Sequence, residues 1–228
     1  IVIGKLIYGG SGRYVMSPAL LAVAFLIFSY PDLLFGKGAW VPVAGYDQPP
    51  VLDLVKEEGG LRVVAAVDYS YWQLFLGDQP GAVGVVSVLG AVVGALFLVW
   101  TGMASWRVIA GSMIGLIGMS LLGNYLAPDH QILSIPWYWH AVLGGWAFGT
   151  VFIATDPVAG AMTNPGRWGY GLLVGALTVL IRLGDVTYYE GVMFAILLAS
   201  AFSPLIDNVA VQLNMRRRRM RLQEAVDG

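Results

Sequence analysis

The chain has 228 residues, 57% of them apolar and 12% charged, with a formal net charge of −1 and a mean hydropathy of +0.71. Soluble domains carry about 25% charged residues, so this balance excludes an ordinary soluble fold and predicts an all-α, polytopic membrane helix bundle. The chain has no cysteine, which excludes disulfides, zinc–thiolate sites and thiolate-held iron–sulfur clusters.

Residues 1–15 hold Lys5 and Arg13 among glycines and offer no small-residue cleavage site, so they do not read as a signal peptide. With Ile1 at the start, the chain reads as the C-terminal part of a longer protein or one product of a split gene. Gly9-Gly10-Ser11-Gly12 lacks the lysine and hydroxyl of a phosphate loop and reads as a tight inner loop. The apolar segment 17–29 would cover about 20 Å as a helix, short of a ~30 Å hydrocarbon core. A half-helix or re-entrant segment and a tilted, extended full helix are both open at this point. Segment 30–81 holds seven acids against three bases and reads as an acidic outer loop. Five further segments, 82–100, 106–125, 137–154, 168–182 and 190–211, approach the ~20 apolar residues of a spanning helix. A basic tail, 212–228, follows.

Lysine and arginine set the orientation. Arg216, Arg217, Arg218, Arg219 and Arg221 follow the last span, which predicts a cytoplasmic C-terminus. With six crossings, Lys5, Arg13, Arg107 and Arg167 fall on the same side, giving nine basic residues there. Lys37, Lys56, Arg62 and Arg182 fall outside. An arginine run directly after a span reads as a topology anchor near anionic lipid, not as a nucleic-acid site. Trp100, Trp106, Trp137, Tyr138, Trp139, Trp168 and Tyr170 sit at segment ends, as an interfacial belt would.

Ionisable groups at membrane depth are functional candidates. Asp207 follows Pro204 within the last segment, where a carboxylate beside a freed carbonyl could hold a hard cation. Thr155-Asp156-Pro157 ends the fourth segment. Asp156 reads either as the cap of the following turn or as an acid at an ion or cofactor entrance. Thr163-Asn164-Pro165-Gly166 reads as a turn opening the next helix. Glu190 opens the last span, where a negative charge suits the helix dipole. Arg182 and Asp185 read as an exposed pair at a short outer turn. His140 reads as a hydrogen-bonded interior or interfacial histidine, because His130 and His140 do not form a convincing haem pair. No Ser-His-Asp order, HExxH or CxxC occurs.

The stretches GKLIYGGSGRYVMSPALLAVAFLIFSYP (4–31), GMASWRVIAGSMIG (102–115), PWYWHAVLGGWAFGTVFIATDPV (136–158), MTNPGRWGYGLLVGALTVLIR (162–182) and EGVMFAILLASAFSPLIDNVAVQ (190–212) together resemble the NqrB/RnfD family. That family comprises the B subunit of sodium-translocating NADH:quinone reductases and its relatives. The resemblance implies a urea-transporter-like fold of two inverted halves, with this chain as the second. It implies a membrane subunit of a redox pump in the bacterial inner membrane, partnered by the other Nqr- or Rnf-type subunits and by quinone. Electrons would pass from NADH through flavins while sodium is exported. It also implies FMN held as a phosphoester on a threonine of the outer loop, and riboflavin near the start of this region. Here the threonine position falls on Pro50, and residues 1–100 contain no threonine, so covalent FMN is predicted absent from this chain. The riboflavin-associated asparagines are replaced by Tyr14 and Ser17. Asp156, Asp207 and Glu190-Gly191 match the family positions and, with Thr155, are assigned to the ion path. A cofactor-free channel or solute carrier, or a structural anchor subunit on the same scaffold, is the alternative.

Overall fold

Hydroxyl side chains mark where the helices begin. The computed structural model describes residues 1–30, 51, 55, 70–79, 85–128, 130–183 and 191–227, and among these every regular element is helical. A π-helical turn, Val2–Leu6, precedes α1 (Pro18–Ser29), which starts after Ser17 with proline in its first turn. Then come α2 (Tyr71–Leu76) after Ser70, α3 (Val88–Trp100) after Ser87, and α4 (Trp106–Leu126) after Ser105. Next are α5 (Trp137–Val142), α6 (Trp146–Phe148), a second π-helical turn (Gly149–Ile153), α7 (Asn164–Arg182) and α8 (Gly191–Asp227). The Ser87 and Thr163 hydroxyls accept from the amides of Gly90 and Gly166, both at 3.1 Å, satisfying N–H groups the helix leaves open.

Beside an apolar core, several polar side chains are buried and many large apolar ones face outward. Ser112, Ser120, His140, Thr178 and Arg182 are fully buried, whereas Phe25, Phe28, Leu96, Phe97, Phe202 and Leu205 are exposed on α1, α3 and α8. Such a surface is matched to hydrocarbon, and several interior polar groups pair within the protein. Trp146 Nε1 donates to Ser112 Oγ at 3.1 Å, Ser112 Oγ lies 3.3 Å from Thr150 Oγ1, and Ser120 Oγ donates to the Ile135 carbonyl at 3.2 Å. α4 and the Gly191–Met220 part of α8 are long and apolar enough to cross a bilayer, while α1 and α3 are apolar but shorter. At 12 residues, α1 reaches only about 18 Å.

α4 and α7 make the most extensive helix contact among the described residues, and α7 with α8 the next. Glycine permits the first. Gly111 and Gly115 of α4 are spaced by four, as are Gly171 and Gly175 of α7. A Cβ on Gly115 would fall on the Leu172 carbonyl, one on Gly171 on the Val108 carbonyl, and one on Gly175 on the Ser112 carbonyl. The two glycine pairs therefore face each other across touching backbones, a small-xxx-small packing typical of membranes.

Two apolar segments fold differently from the expectation of one helix each. Segment 137–154 is divided, because Leu143 is extended and Gly144 and Gly145 both take φ +63, a left-handed conformation that favours glycine. In the other direction, α8 does not stop at the end of its apolar segment but runs on through the arginine-rich tail to Asp227. Its 37 residues span about 55 Å, and side chains 211–220 are exposed. Most of the acidic segment 30–81, including Pro50, and Glu190 and Asp185 at the last turn lie outside the described residues.

Arg182 corrects the expectation of an exposed outer pair. It is fully buried in the last turn of α7. Nη1 donates to the His140 carbonyl at 2.8 Å, and Nη2 donates to the Leu143 carbonyl at 2.5 Å. Nη1 also lies 3.2 Å from His140 Nδ1. A guanidinium only donates, so Nδ1 is the acceptor and the imidazole proton belongs on Nε2. The break after α5 leaves those carbonyls without helical partners, and Arg182 supplies them. His140 is thus the hydrogen-bonded interior histidine expected of it.

Candidate functional site

α1, α4 and α7 all begin at one end of the bundle, and the candidate residues gather there. The connection from α6 to α7 organises them. Thr155 Oγ1 donates back to the Val151 carbonyl at 2.6 Å, ending the π-helical turn. Asp156 then accepts from the Val158 amide through Oδ1 at 2.9 Å, closing an Asx-type turn, while its carbonyl accepts from Gly160 N at 3.0 Å. This is the turn-capping role read for Asp156. Its other oxygen, Oδ2, accepts from the Tyr14 hydroxyl at 3.0 Å. That bond spans 142 residues of sequence and ties the loop before α1 to this connection. Tyr14 is half-buried, and burial together with the neighbouring Asp156 carboxylate pushes its phenol above the ordinary 10.0.

Further along the same connection, Asp207 of α8 meets the start of α7. Its carboxylate accepts from Met162 N at 2.7 Å, from Thr163 N at 3.0 Å and from Thr163 Oγ1 at 2.5 Å. A carboxylate at a helix N-terminus is favoured by the helix dipole and by its open N–H groups. Asp207 therefore fastens the turn that opens α7, through the Thr163 hydroxyl that also caps Gly166.

Two cavities adjoin this connection. The larger, about 420 Å³, is walled by Leu20, Leu98 and Phe152 and carries Ser17, Thr155 and Asp156 as its polar groups. The smaller, about 310 Å³, is lined by Ser105, Trp106, Arg107 and Arg167, and shares Thr155 and Asp156 with the first. Small-molecule sites have this size and this mixture of apolar wall and few polar groups. Of the residues singled out by sequence, Tyr14, Ser17, Thr155 and Asp156 come together here. Asp207 joins through the Met162–Thr163 turn, while Pro50 and Glu190 lie outside the described residues. Among the described residues no three histidine, aspartate or glutamate side chains gather as a metal site.

The whole of this end is built from stretches shared with known proteins. The family model described as NQR2, RnfD, RnfE matches residues 1–216. The chain belongs to the NQR2, RnfD, RnfE family. Within that family it is 43% identical over 219 residues to the B subunit of the Na(+)-translocating NADH-quinone reductase of Azotobacter vinelandii, covering 96% of this chain and 54% of the relative. It is 44% identical over 222 residues to the corresponding protein of Chromohalobacter salexigens, covering 97% and 54%. For Neisseria meningitidis serogroup B the figures are 43% over 225 residues, 97% and 55%. The chain spans about half the length of the curated relatives it matches. Membership of the NQR2, RnfD, RnfE family and the exposed apolar helix surfaces agree that this is a membrane protein.

Sequence reasoning missed three features of this family member. The Tyr14–Asp156 bond had no signal, since only folding brings the two together. The facing glycine pairs were signalled by GSMIG at 111–115 and GLLVG at 171–175. The buried arginine was signalled by LTVLIRLGD, an arginine set among apolar residues on both sides.

Proposed function

We propose that this chain is the second membrane half of an NqrB-like subunit in a redox-driven pump. In the bacterial inner membrane, with its C-terminus in the cytoplasm, it would couple electron flow from NADH to quinone with sodium export. Its partners would be the other subunits of an Nqr- or Rnf-type complex. The observation that carries this reading is the identity of 43–44%, along nearly the whole chain, to proteins named as a component of the Na(+)-translocating NADH-quinone reductase.

The site's chemistry supports a division of labour between the two carboxylates. Hard cations take oxygen ligands. Asp156 and Thr155 line both cavities and present a carboxylate and a hydroxyl with lone pairs to spare. Asp207 faces three donor hydrogens, so its charge is already compensated by the α7 turn. Asp156 with Thr155 is therefore the ion-contacting pair, and Asp207 acts by holding the connection that carries them. Glu190 is assigned to the opposite end of the path on its sequence position alone.

The larger cavity suits a flavin ring held without a covalent bond. Its apolar walls match the faces of an isoalloxazine, and Ser17, Thr155 and Asp156 can meet its polar edge. When bound, a flavin supplies electron transfer. Tyr14 would hold the Asp156 carboxylate against that edge. Covalent FMN does not fit, because Pro50 has no hydroxyl to esterify. That same proline favours a second reading, a cofactor-free channel or carrier, or an anchor subunit, on this scaffold.

Purified complex separates the readings. In-gel fluorescence after denaturation is expected to show no flavin on this chain, while extraction releases riboflavin from the native complex. In the same complex, Asp156→Asn is expected to raise the sodium concentration for half-maximal turnover. Asp207→Asn is expected to lower stability and leave that concentration little changed. Sodium flux in vesicles without any electron donor would overturn the pump in favour of the channel.

A further inference from the structure

The smaller cavity carries a cluster that neither the ion path nor the flavin reading uses. Arg107 and Arg167 enter it from the first turns of α4 and α7, and both are half-buried. The Arg107 guanidinium lies over the Trp106 ring, 5.2 Å from its centroid. Arg167 spends Nε on the Ala161 carbonyl at 3.3 Å. Among the described residues neither forms an ion pair. Asp156 is the one carboxylate bordering the same space, and single hydrogen bonds to its two oxygens from Val158 N and Tyr14 Oη offset part of its charge. The hydroxyl oxygen of Ser105, the residue capping α4, is buried and has no hydrogen-bond partner.

Two guanidiniums, an unpartnered hydroxyl and the open amides of a helix start outnumber the one carboxylate of the lining, Asp156, and leave the cavity net positive. Ionised phosphate oxygens are the acceptors that match it, and arginine meets them in a two-pronged fashion. The rim indicates where the phosphate comes from. Trp106 is half exposed, and Met103 and Trp100 beside it are exposed at 73% and 85%. Apolar and aromatic groups exposed at the end of a spanning helix sit at headgroup depth. We propose that this cavity holds the phosphate of an anionic phospholipid headgroup, with the acyl chains lying along the exposed end of α3. Basic pockets between membrane helices bind headgroups in this way. The inference rests on Arg107, Arg167 and Ser105, which the flavin and ion assignments do not use, although Thr155 and Asp156 border both cavities.

Native mass spectrometry of the protein during stepwise delipidation tests it, with phosphatidylglycerol and phosphatidylcholine supplied together. One phosphatidylglycerol is expected to persist after phosphatidylcholine is lost. The Arg107→Gln/Arg167→Gln double variant is expected to weaken its retention by about tenfold or more, the equivalent of ~1.4 kcal/mol. Replacing Arg216 and Arg217 by glutamine should leave that lipid in place, since the tail attracts lipid only diffusely. Ser105→Ala, a milder change, should weaken retention in the same direction and serves if the double variant does not fold. Equal loss of both lipids, or unchanged retention in the arginine and serine variants, would overturn the proposal. So would displacement of the lipid by inorganic phosphate at matched concentration, which would make this a site for free phosphate.

Discussion

Arg182 shows how one side chain can decide the shape of a segment. The run LGG at 143–145 breaks the helix and leaves the carbonyls of His140 and Leu143 facing a dry interior. A planar guanidinium reaches both at once through two separate nitrogens, a spread that the single nitrogen of an ammonium lacks. Arg182→Met would leave two buried acceptors unsatisfied. Hydrogen bonds to charged groups are worth about 1.5–3 kcal/mol each, so a loss of about 3 kcal/mol or more is expected, read from the unfolding midpoint in detergent. Arg182→Lys should fall between, and equal stability of wild type and the methionine variant would refute the clamp. Tyr14 offers a pH-dependent test at the same scale. Its phenol is raised above the ordinary 10.0 by burial and by Asp156, so the neutral form is favoured in the folded state. The contribution is fully present below about pH 10 and fades as pH rises through the raised value. Because Tyr14 is only half-buried, the effect is small. The stability gap between wild type and Tyr14→Phe should therefore stay level from neutral pH to about pH 10 and narrow above it. A gap that instead widened in alkali would contradict the Tyr14–Asp156 bond.

At the scale of elements, the α4–α7 contact explains what glycine does here. The fourfold spacing at Gly111 and Gly115 and at Gly171 and Gly175 is the signal in the sequence for close helix approach. A Cβ at Gly175 would meet backbone, the Ser112 carbonyl and the Leu116 amide, and backbone cannot rotate aside. Overpacking of this kind costs about 1–3 kcal/mol. Gly175→Ala is expected to lower the thermal unfolding midpoint clearly, whereas Gly118→Ala, where nothing lies within 4 Å, should be neutral or mildly stabilising. Equal effects at both sites would remove the argument for touching backbones. The helix starts were also legible, because Ser17, Ser105 and Thr163 precede apolar runs at each of them. The division of 137–154 was not. A window of apolar residues has the same length and hydropathy whether or not two glycines in it turn left-handed, and only the need of the freed carbonyls for Arg182 reveals the break.

For the whole molecule, charge distribution and contact geometry converge on one sided arrangement. The sequence placed Lys5, Arg13, Arg107, Arg167 and the arginine tail on one face by alternation. In the fold, Arg107 and Arg167 line one cavity, Tyr14 near Arg13 bonds to Asp156 beside it, and Asp207 binds the turn next to Arg167. Past Asp207, α8 can only run outward from this end. What alternation could not reveal was that an arginine counted as outer, Arg182, is interior and says nothing about sidedness. The remaining arginines give a direct test, helped by the absence of cysteine from these 228 residues. Gln131→Cys lies in the exposed loop between α4 and α5, at the far end, and Gln223→Cys lies in the exposed tail. A membrane-impermeant thiol reagent on intact cells is expected to label position 131 and to reach 223 only after permeabilisation. Basic residues hold their end in the cytoplasm by resisting translocation, so replacing Arg216–Arg219 with glutamine should make position 223 partly reachable from outside. Labelling of 223 but not 131 in the unaltered background would invert the molecule and, with it, the direction assigned to sodium.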